Sequence, residues 1–340
     1  MPGKNANLQK AKRIRNDEFF TRLIDIEKEL IHYKEHFRDK IVYCNCDDPT
    51  RSAFWMYFHQ NFADLRLMKL ISTHYSSEGS TYKMEYVGGN DKNIESGEKT
   101  SLIGNGDFNS QECLGILDEC DIVVTNPPFS LFKNYVPVLI AHQKKFLIVG
   151  NKNAVTYREI FPLFKENKVW TGCTNIREFM QPDGSIKKFG NVGWFTNLDV
   201  EKRHEKLSLW KNYTPEEYPK YDNYMAWNVN KVIDIPCNDY IDIEINKSEL
   251  NLYQSVYIDL KTLACDEVES ENIKIRIKNP IWGVPISFMD KYNPEEFVIW
   301  GADEAEGKGF SNDLYIHGSK HKQCYVNGRR FYKRIFIRKR

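Results

Sequence analysis

The sequence predicts an α/β protein: a doubly wound, mostly parallel sheet carried by residues 1–199, followed by a smaller lobe over residues 200–340. Three observations lead there. Short apolar runs alternate with segments of helical periodicity as far as about Asp199, the pattern of a sheet covered on both faces. The polar clusters CNCDDP, GNGDF and TNPPF fall where such runs end, and in sheets of this class ligands bind beyond the carboxyl ends of the strands. After Asp199 the alternation stops, and the chain turns richer in Tyr, Asn and Lys. At 340 residues there is ample length for one large domain with an appended lobe.

In chain order, Leu23, Ile26, Leu30 and Tyr33 recur at helical spacing and predict a helix from Thr21 to His36, with Thr21 as its cap. His32 and His36 stand four apart on it, but no acidic partners complete a site, so they read as a solvated face and no metal is expected. KIVYCNC reads as a short buried strand, DDPT as a turn, and an aromatic helix begins near Ser52. KLISTHY is a second strand. Residues 76–101, rich in Gly, Ser, Asn and charge around the candidate strand TYKMEYV, read as a surface insertion. SLIGNGDF resumes the pattern, followed by a helix from about Gln111, the strand DIVVTN, a helix after Pro128 and the strand KKFLIVGN. A helix from Thr156 to about Glu166 and the strands KVWTGCT and NVGWFTNL complete the first part. In the lobe, YIDIEI and IKIRI alternate with period two and read as strands.

The formal charge of +1 gives no support for a nucleic-acid partner, but its distribution is uneven. RRFYKRIFIRKR, from Arg329 to the end, contains no acid, and Lys10, Lys12, Arg13 and Arg15 precede Asp17 at the start. Both ends are suited to phosphates, or they are a solvated strand and a leader. The eight cysteines include no CxxC pair and describe neither a disulfide framework nor a zinc module. Reduced thiols in a cytoplasmic protein, with no signal peptide and no membrane-length apolar run, are the expectation.

TNPPF is the sharpest motif. Proline fixes φ and removes a donor, so two in succession end a buried strand and hold the neighbouring groups in one pose. Asn and Pro can do this merely to stop a strand. The whole stretch VVTNPPF also suits the methylation of a planar amino nitrogen, whose lone pair is delocalised and poorly nucleophilic. The side-chain oxygen of Asn126 and the carbonyl of Pro127 would accept its two hydrogens and return density to nitrogen as it attacks. Pro127 and Pro128 stiffen the acceptors, and Phe129 would stack on the substrate ring.

In order along the chain, DEFFT (Asp17 to Thr21), VYCNCDDP (Val42 to Pro49), GNGDF (Gly104 to Phe108), TNPPF, KFLIVGN (Lys145 to Asn151) and VGWFTNL (Val192 to Leu198) resemble the EcoRI adenine-specific DNA methyltransferase family. YPKYDNY (Tyr218 to Tyr224), GVPISFMDKYNPEEF (Gly283 to Phe297) and the basic ending extend the resemblance over nearly the whole chain. It implies a Rossmann-like class I methyltransferase domain over residues 1–199 and a DNA target-recognition region over 200–340, with a return of the last strand to the first sheet as the alternative. It also implies S-adenosylmethionine as donor and N6 of a flipped adenine in double-stranded DNA as acceptor. The enzyme would be a monomer serving a restriction-modification system, beside a cognate endonuclease but in no stable complex with it, or a phage or orphan counterpart. Asn126 to Phe129 become the catalytic tetrad. Phe20 and Thr21 would hold the methionine end of the donor, Cys44, Asn45, Asp47 and Asp48 its amine or ribose, and Asp107 and Phe108 its adenine. The sequence departs from the wider pattern in two places: CNCDDPTRS has no glycine for close backbone approach, and the second strand ends at THY without an acid for ribose hydroxyls. Asp47 and Asp48 also read as a plain turn and helix start. The competing functions are an RNA or protein-glutamine aminomethyltransferase using the same NPPF site, and a non-catalytic DNA-binding regulator.

Overall fold

The computed structural model describes residues 19–77, 79–181, 183–263, 270–303, 310–319, 321 and 323–340; the basic amino terminus and the start of DEFFT lie outside them. The chain divides into two compact units, one ending at Val200 and one beginning at Glu201.

The first unit runs β1 (Phe20–Thr21), α1 (Leu23–Leu30), β2 (Ile41–Cys44), α2 (Ala53–Gln60), β3 (Lys69–Thr73), β4 (Tyr82–Tyr86), β5 (Glu98–Ser101), α3 (Gln111–Glu119), β6 (Ile122–Thr125), α4 (Phe132–Ala141), β7 (Lys145–Asn151), α5 (Phe161–Lys165), β8 (Trp170–Met180) and β9 (Ile186–Thr196). All nine strands join one sheet in the order β1-β8-β9-β7-β6-β2-β3-β4-β5. The expected parallel arrangement holds only at its centre, where β7, β6, β2 and β3 pair parallel. Both flanks are antiparallel. The reason is connection length: β8 and β9 are joined by a tight turn through Asp183 and Gly184, too short for the crossover a parallel pair needs. Residues 76–101 are likewise more than a surface insertion, since β4 and β5 extend the sheet edge from β3.

Burial along the central strands shows both faces covered. Val42, Cys44, Val124, Leu147 and Val149 share one core with Ile26, Leu30, Trp55, Phe58 and Trp194. The alternate residues Tyr43, Val123, Phe146 and Ile148 have no exposure either and pack on the opposite face. Each such side chain contributes about 1.5–3 kcal/mol of transfer free energy.

Two helices differ from expectation. Thr21 does not cap α1; it pairs with Phe179 in the sheet, and Arg22 stands at the cap position with its guanidinium on Asp25 at 2.9 Å. The predicted helix from Thr156 shrinks to α5, because Pro162 fits only the first turn of a helix and so sets its start.

The second unit contains β10 (Trp227–Asn228), β11 (Tyr240–Asn246), α6 (Leu250–Val256), β12 (Lys261–Thr262), β13 (Asn272–Lys278), β14 (Trp282–Pro285), β15 (Phe297–Ala302), β16 (Tyr325–Val326), β17 (Arg329–Arg330) and β18 (Arg334–Lys339). YIDIEI and IKIRI pair as β11 and β13, and their isoleucines face one another: Ile241 with Ile277, Ile243 with Ile275, Ile245 with Ile273. β18 lies between β14 and β15 in the sheet β10-β14-β18-β15, so the closing strand stays in this unit. Ile335, Phe336 and Ile337 are wholly buried there, which makes the second half of the basic ending a core strand. Among the described residues no helix is long and apolar enough to cross a membrane.

Glu29 on α1 ties the helix layer to the sheet. Its carboxyl accepts from the amides of Cys173 and Thr174 at 2.7 Å, the Thr174 hydroxyl at 2.6 Å and the Tyr33 hydroxyl at 3.1 Å. Those amides are available because the β8–β9 ladder breaks register between Thr171 and Asn175. Gly172 is required beside them, since a Cβ there would stand 2.2 Å from Glu29 Oε1. Burial pushes the Glu29 carboxyl above its ordinary range, against the pull of these donors. Replacing Glu29 with Ala strands several buried donors and should lower stability by about 3 kcal/mol. Chemical denaturation checks this: the midpoint should fall at unchanged slope, and an unshifted midpoint would refute the bracing role.

Candidate active site

β2 and β6 are neighbours in the sheet, yet the chain builds outward from them in opposite directions, to β3 on one side and β7 on the other. Such a reversal leaves a crevice at the carboxyl ends of the two strands. A cavity of about 290 Å³ lies there. Its walls are Phe19, Phe20 and Thr21, Cys46 to Asp48 and Arg51 to Phe54 after β2, His74 and Tyr75 after β3, Asp107 and Phe108 before α3, and Asn126, Pro128 and Leu131 after β6.

Of the residues the sequence singles out, Phe20, Thr21, Asp47, Asp48, Asp107, Phe108, Asn126 and Pro128 line this cavity. Cys44 and Asn45 do not. Cys44 is wholly buried in the strand, and Asn45 braces the strand ends: its carbonyl accepts from Thr125 Oγ1 at 2.5 Å and its Oδ1 from Thr73 Oγ1 at 3.3 Å. Pro127 is buried and is not among the residues that line the cavity. Phe129, expected to stand ready for a substrate ring, packs half-buried against Phe19, Phe179 and Phe189 with ring centroids 6.2–6.4 Å apart.

The glycine-free loop turns at Cys46, whose φ of 58° lies in the left-handed region that glycine usually fills. The turn is held by Asp47 N donating to Thr73 O at 3.0 Å and Ser72 Oγ donating to Asp47 O at 2.5 Å. Gly106 is required: its φ is 74°, and a Cβ would come within 2.4 Å of the His74 carbonyl. That contact brings Asp107 and Phe108 to the cavity wall. Asp107 Oδ1 accepts from Asn109 N at 2.8 Å, and the Phe108 ring meets Tyr135 edge-on at 5.0 Å.

Asn126 is held by one bond. Its Nδ2 donates to the Phe19 carbonyl at 2.6 Å, and a carbonyl partner requires the amide nitrogen there, so the opposite atom must be the oxygen. That Oδ1 is buried and has no hydrogen-bond partner among the described residues. Thr21 Oγ1 and His74 Nδ1, on other walls of the same cavity, are also buried and unpartnered. Buried polar atoms are normally satisfied, so three on one cavity mark a place built for a polar ligand.

Two adjoining acids behave differently. Burial pushes the Asp47 carboxyl up to about 7, a hydrogen bond from Ser52 Oγ at 2.5 Å opposes it, and the charge of Asp48 adds to it. Ser52 also caps α2, accepting from the amides of Phe54 and Trp55 at 3.1 Å. Burial acts on Asp48 as well, but it is outweighed by hydrogen bonds from Tyr82 and Thr50 and by nearby His74, leaving that carboxyl below its usual range. Asp48 Oδ1 receives the Thr50 amide and hydroxyl and the Tyr82 hydroxyl, and Oδ2 lies 3.9 Å from His74 Nε2.

The sequence reading missed Phe19, Arg51 and His74. Phe19 contributes a backbone carbonyl, which no side-chain pattern reveals. His74 follows KLIST at the place searched only for an acid, and Arg51 was hidden in what read as a helix start.

The family described as Adenine-specific methyltransferase EcoRI matches residues 7–279 and 242–340. The chain is 38% identical to the Type II methyltransferase M.EcoRI of Escherichia coli, with 98% of this chain and 96% of the relative covered. It is 31% identical to M.MgeORF184P of Mycoplasma genitalium, covering 98% of each. It is also 31% identical to M.MpnI of Mycoplasma pneumoniae, covering 97% of each. No solved structure matches it.

Asp47 gives the site a pH signature. Its folded pKa is raised above the unfolded one, so the folded chain holds a proton that the unfolded chain has released between about 4 and about 7. That stabilisation is complete below the unfolded pKa and is lost as pH rises through 7. Without ligand, Asp47→Asn should therefore lose less stability than the parent between pH 5 and pH 8 in chemical denaturation. Parallel pH curves would contradict the burial of this carboxyl.

Proposed function

Because the chain belongs to the EcoRI adenine-specific methyltransferase family and is a DNA adenine methyltransferase, we propose that Asn126 and Pro127 activate N6 of a target adenine for methylation. The observation that carries this reading is the unpartnered, buried Oδ1 of Asn126, turned to the cavity by the bond from Nδ2 to Phe19. Among the described residues no donor meets the Pro127 carbonyl, and in this reading it supplies the second acceptor for the two hydrogens of one amino group. As those hydrogens are drawn toward oxygen, density returns to nitrogen. The bond from nitrogen to the methyl carbon forms as the carbon–sulfur bond breaks, and a proton then leaves to water. No side chain has to remove it beforehand. Phe129 keeps enough exposure at the edge of its aromatic cluster to flank the base.

The family's usual donor is S-adenosylmethionine, which supplies a methyl group already activated on a positively charged sulfur. The cavity suits it. Asp47, Asp48 and Asp107 offer acceptors for its cationic and amino groups, and Phe20 and Phe108 offer apolar walls. Thr21 Oγ1 and His74 Nδ1 have unmet capacity for its carboxylate or hydroxyls. We assign Phe20 and Thr21 to its methionine end, Asp47 and Asp48 with His74 to its amine and ribose, and Asp107 with Phe108 to its adenine. Cys44 and Asn45 act through the strand ends instead of touching it.

In this reading the first unit is a Rossmann-like catalytic domain and the unit from Glu201 reads the target. The adenine is flipped from the duplex, because N6 cannot reach Asn126 while stacked. The enzyme works as a cytoplasmic monomer that protects DNA from a cognate endonuclease without a stable complex.

Incubation with labelled donor and separated duplex DNA, RNA and protein pools tests the assignment. Label should appear in DNA as N6-methyladenine, and Asn126→Ala should cut the rate by about 10²–10³-fold, the loss typical of one preorganised group. Donor affinity should change by less than about threefold, since only the transition-state contact is removed. Label confined to RNA or protein, or an Asn126→Ala enzyme at full rate, would overturn the proposal.

A further inference from the structure

The ending RRFYKRIFIRKR splits into two parts with different fates. From Arg334 onward it is the buried strand β18, but Arg329 and Arg330 belong to a hairpin that stands outside that sheet, and Phe331 to Lys333 connect the two. β16 and β17 pair Tyr325 with Arg330 and Val326 with Arg329 across a turn at Asn327 and Gly328, both with positive φ, at 49° and 74°. Such a turn matches the twist of a two-stranded ribbon.

The ribbon is clamped at several points. Asp222 accepts from the amides of Asn327 at 2.9 Å and Gly328 at 2.8 Å, so each carboxylate oxygen holds one amide of the tip. Buried Asn223 accepts from Tyr325 N at 3.2 Å and donates to the carbonyls of His321 at 2.7 Å and Gln323 at 2.6 Å. The Phe331 amide donates to the Cys324 carbonyl at 2.8 Å and closes the base.

The side chains on this rigid support are left unengaged. Arg329 and Arg330 are exposed, and among the described residues neither guanidinium has a hydrogen-bond or ion-pair partner. Tyr332, two residues on, is 91% exposed. Successive residues of a strand project from opposite faces, so the two arginines flank the ribbon, one on each side. A flat anionic surface would meet only one of them. A groove with phosphates on both walls meets both, and the DNA major groove has the width to admit a two-stranded β-ribbon.

Resting on the reading of the chain as a DNA methyltransferase, we propose that the ribbon from Tyr325 to Tyr332 enters the major groove of duplex DNA, with Arg329 and Arg330 on opposite groove walls and Tyr332 against the backbone. The clamps from Asp222 and Asn223 preorganise it, so ordering the ribbon costs little on binding. The arginines supply affinity through the phosphates, and such contacts set the register and orientation of the chain on the duplex.

The test is fluorescence anisotropy of the full chain with a mixed-sequence duplex over a range of salt. Arg329→Ala with Arg330→Ala should weaken binding about tenfold or more near 0.1 M salt and lower the slope of log affinity against log salt by about 2, one ion release for each lost phosphate contact. Tyr332→Ala should weaken binding at an unchanged slope. A duplex with its major groove filled by glucosylated hydroxymethylcytosine should bind the parent less tightly and the double variant no less tightly than before. Melting temperature and affinity for S-adenosylhomocysteine should stay at parental values in each variant, which separates a contact from a folding defect. Parental affinity and slope in the double variant would overturn the proposal, as would stronger binding to single-stranded RNA that depends on the same arginines. A parent that binds S-adenosylhomocysteine but no duplex at any salt would overturn the DNA reading itself, a different and recognisable failure.

Discussion

The site depends on one hydrogen bond, from Asn126 Nδ2 to the carbonyl of Phe19. It decides which end of the amide faces the cavity, and so decides that the cavity presents an acceptor and not a donor there. Its partner sits immediately before β1, a strand of two residues that among the described residues pairs only with β8. β8 is in turn held by Glu29 through the amides released at its break in register. The orientation of one side-chain amide is therefore maintained by a carboxylate on α1. Loss of the helix contact reaches the site through the position of a strand.

The cavity achieves close approach by means other than glycine. After β2 the chain turns at Cys46 in a conformation that costs a non-glycine residue on the order of 1 kcal/mol, and hydrogen bonds from Ser72 and Asp47 hold it there. The glycine that is needed stands elsewhere, at Gly106 against the His74 carbonyl. Asp47 is held near neutrality by burial while Asp48, one residue on, is kept ionised by its donors. Two adjacent carboxyls thus differ in proton affinity on the wall of one cavity.

The parts legible in the sequence were those set by local chemistry. The apolar runs gave the central strands, Ser52 gave the start of α2, the isoleucine alternation gave β11 and β13, and TNPPF gave the end of β6 at the cavity. What was illegible depended on partners distant in sequence. Pairing direction is not written in a strand's own residues, so the antiparallel flanks were read as parallel. Thr21 looked like a cap because its pairing with Phe179 lies 158 positions away. Phe129 looked free because the rings it packs against, Phe179 and Phe189, arrive on β8 and β9. The basic ending looked uniform because nothing local separates the buried Ile335 to Ile337 from the ribbon before them.

If Asn126 and Pro127 act as proposed, a site with two fixed acceptors counts hydrogens. An unmodified adenine amino group then has two to give, one for Asn126 Oδ1 and one for the Pro127 carbonyl. After methyl transfer it has one, and the methyl group occupies the position of the other. With the prolines holding both acceptors in place, as proposed, the product would leave a buried oxygen unmet, at a cost of about 1–3 kcal/mol. The rigidity that polarises the substrate then also disfavours its methylated form. It would limit the reaction to one methyl group and loosen the hold on finished DNA without any moving part.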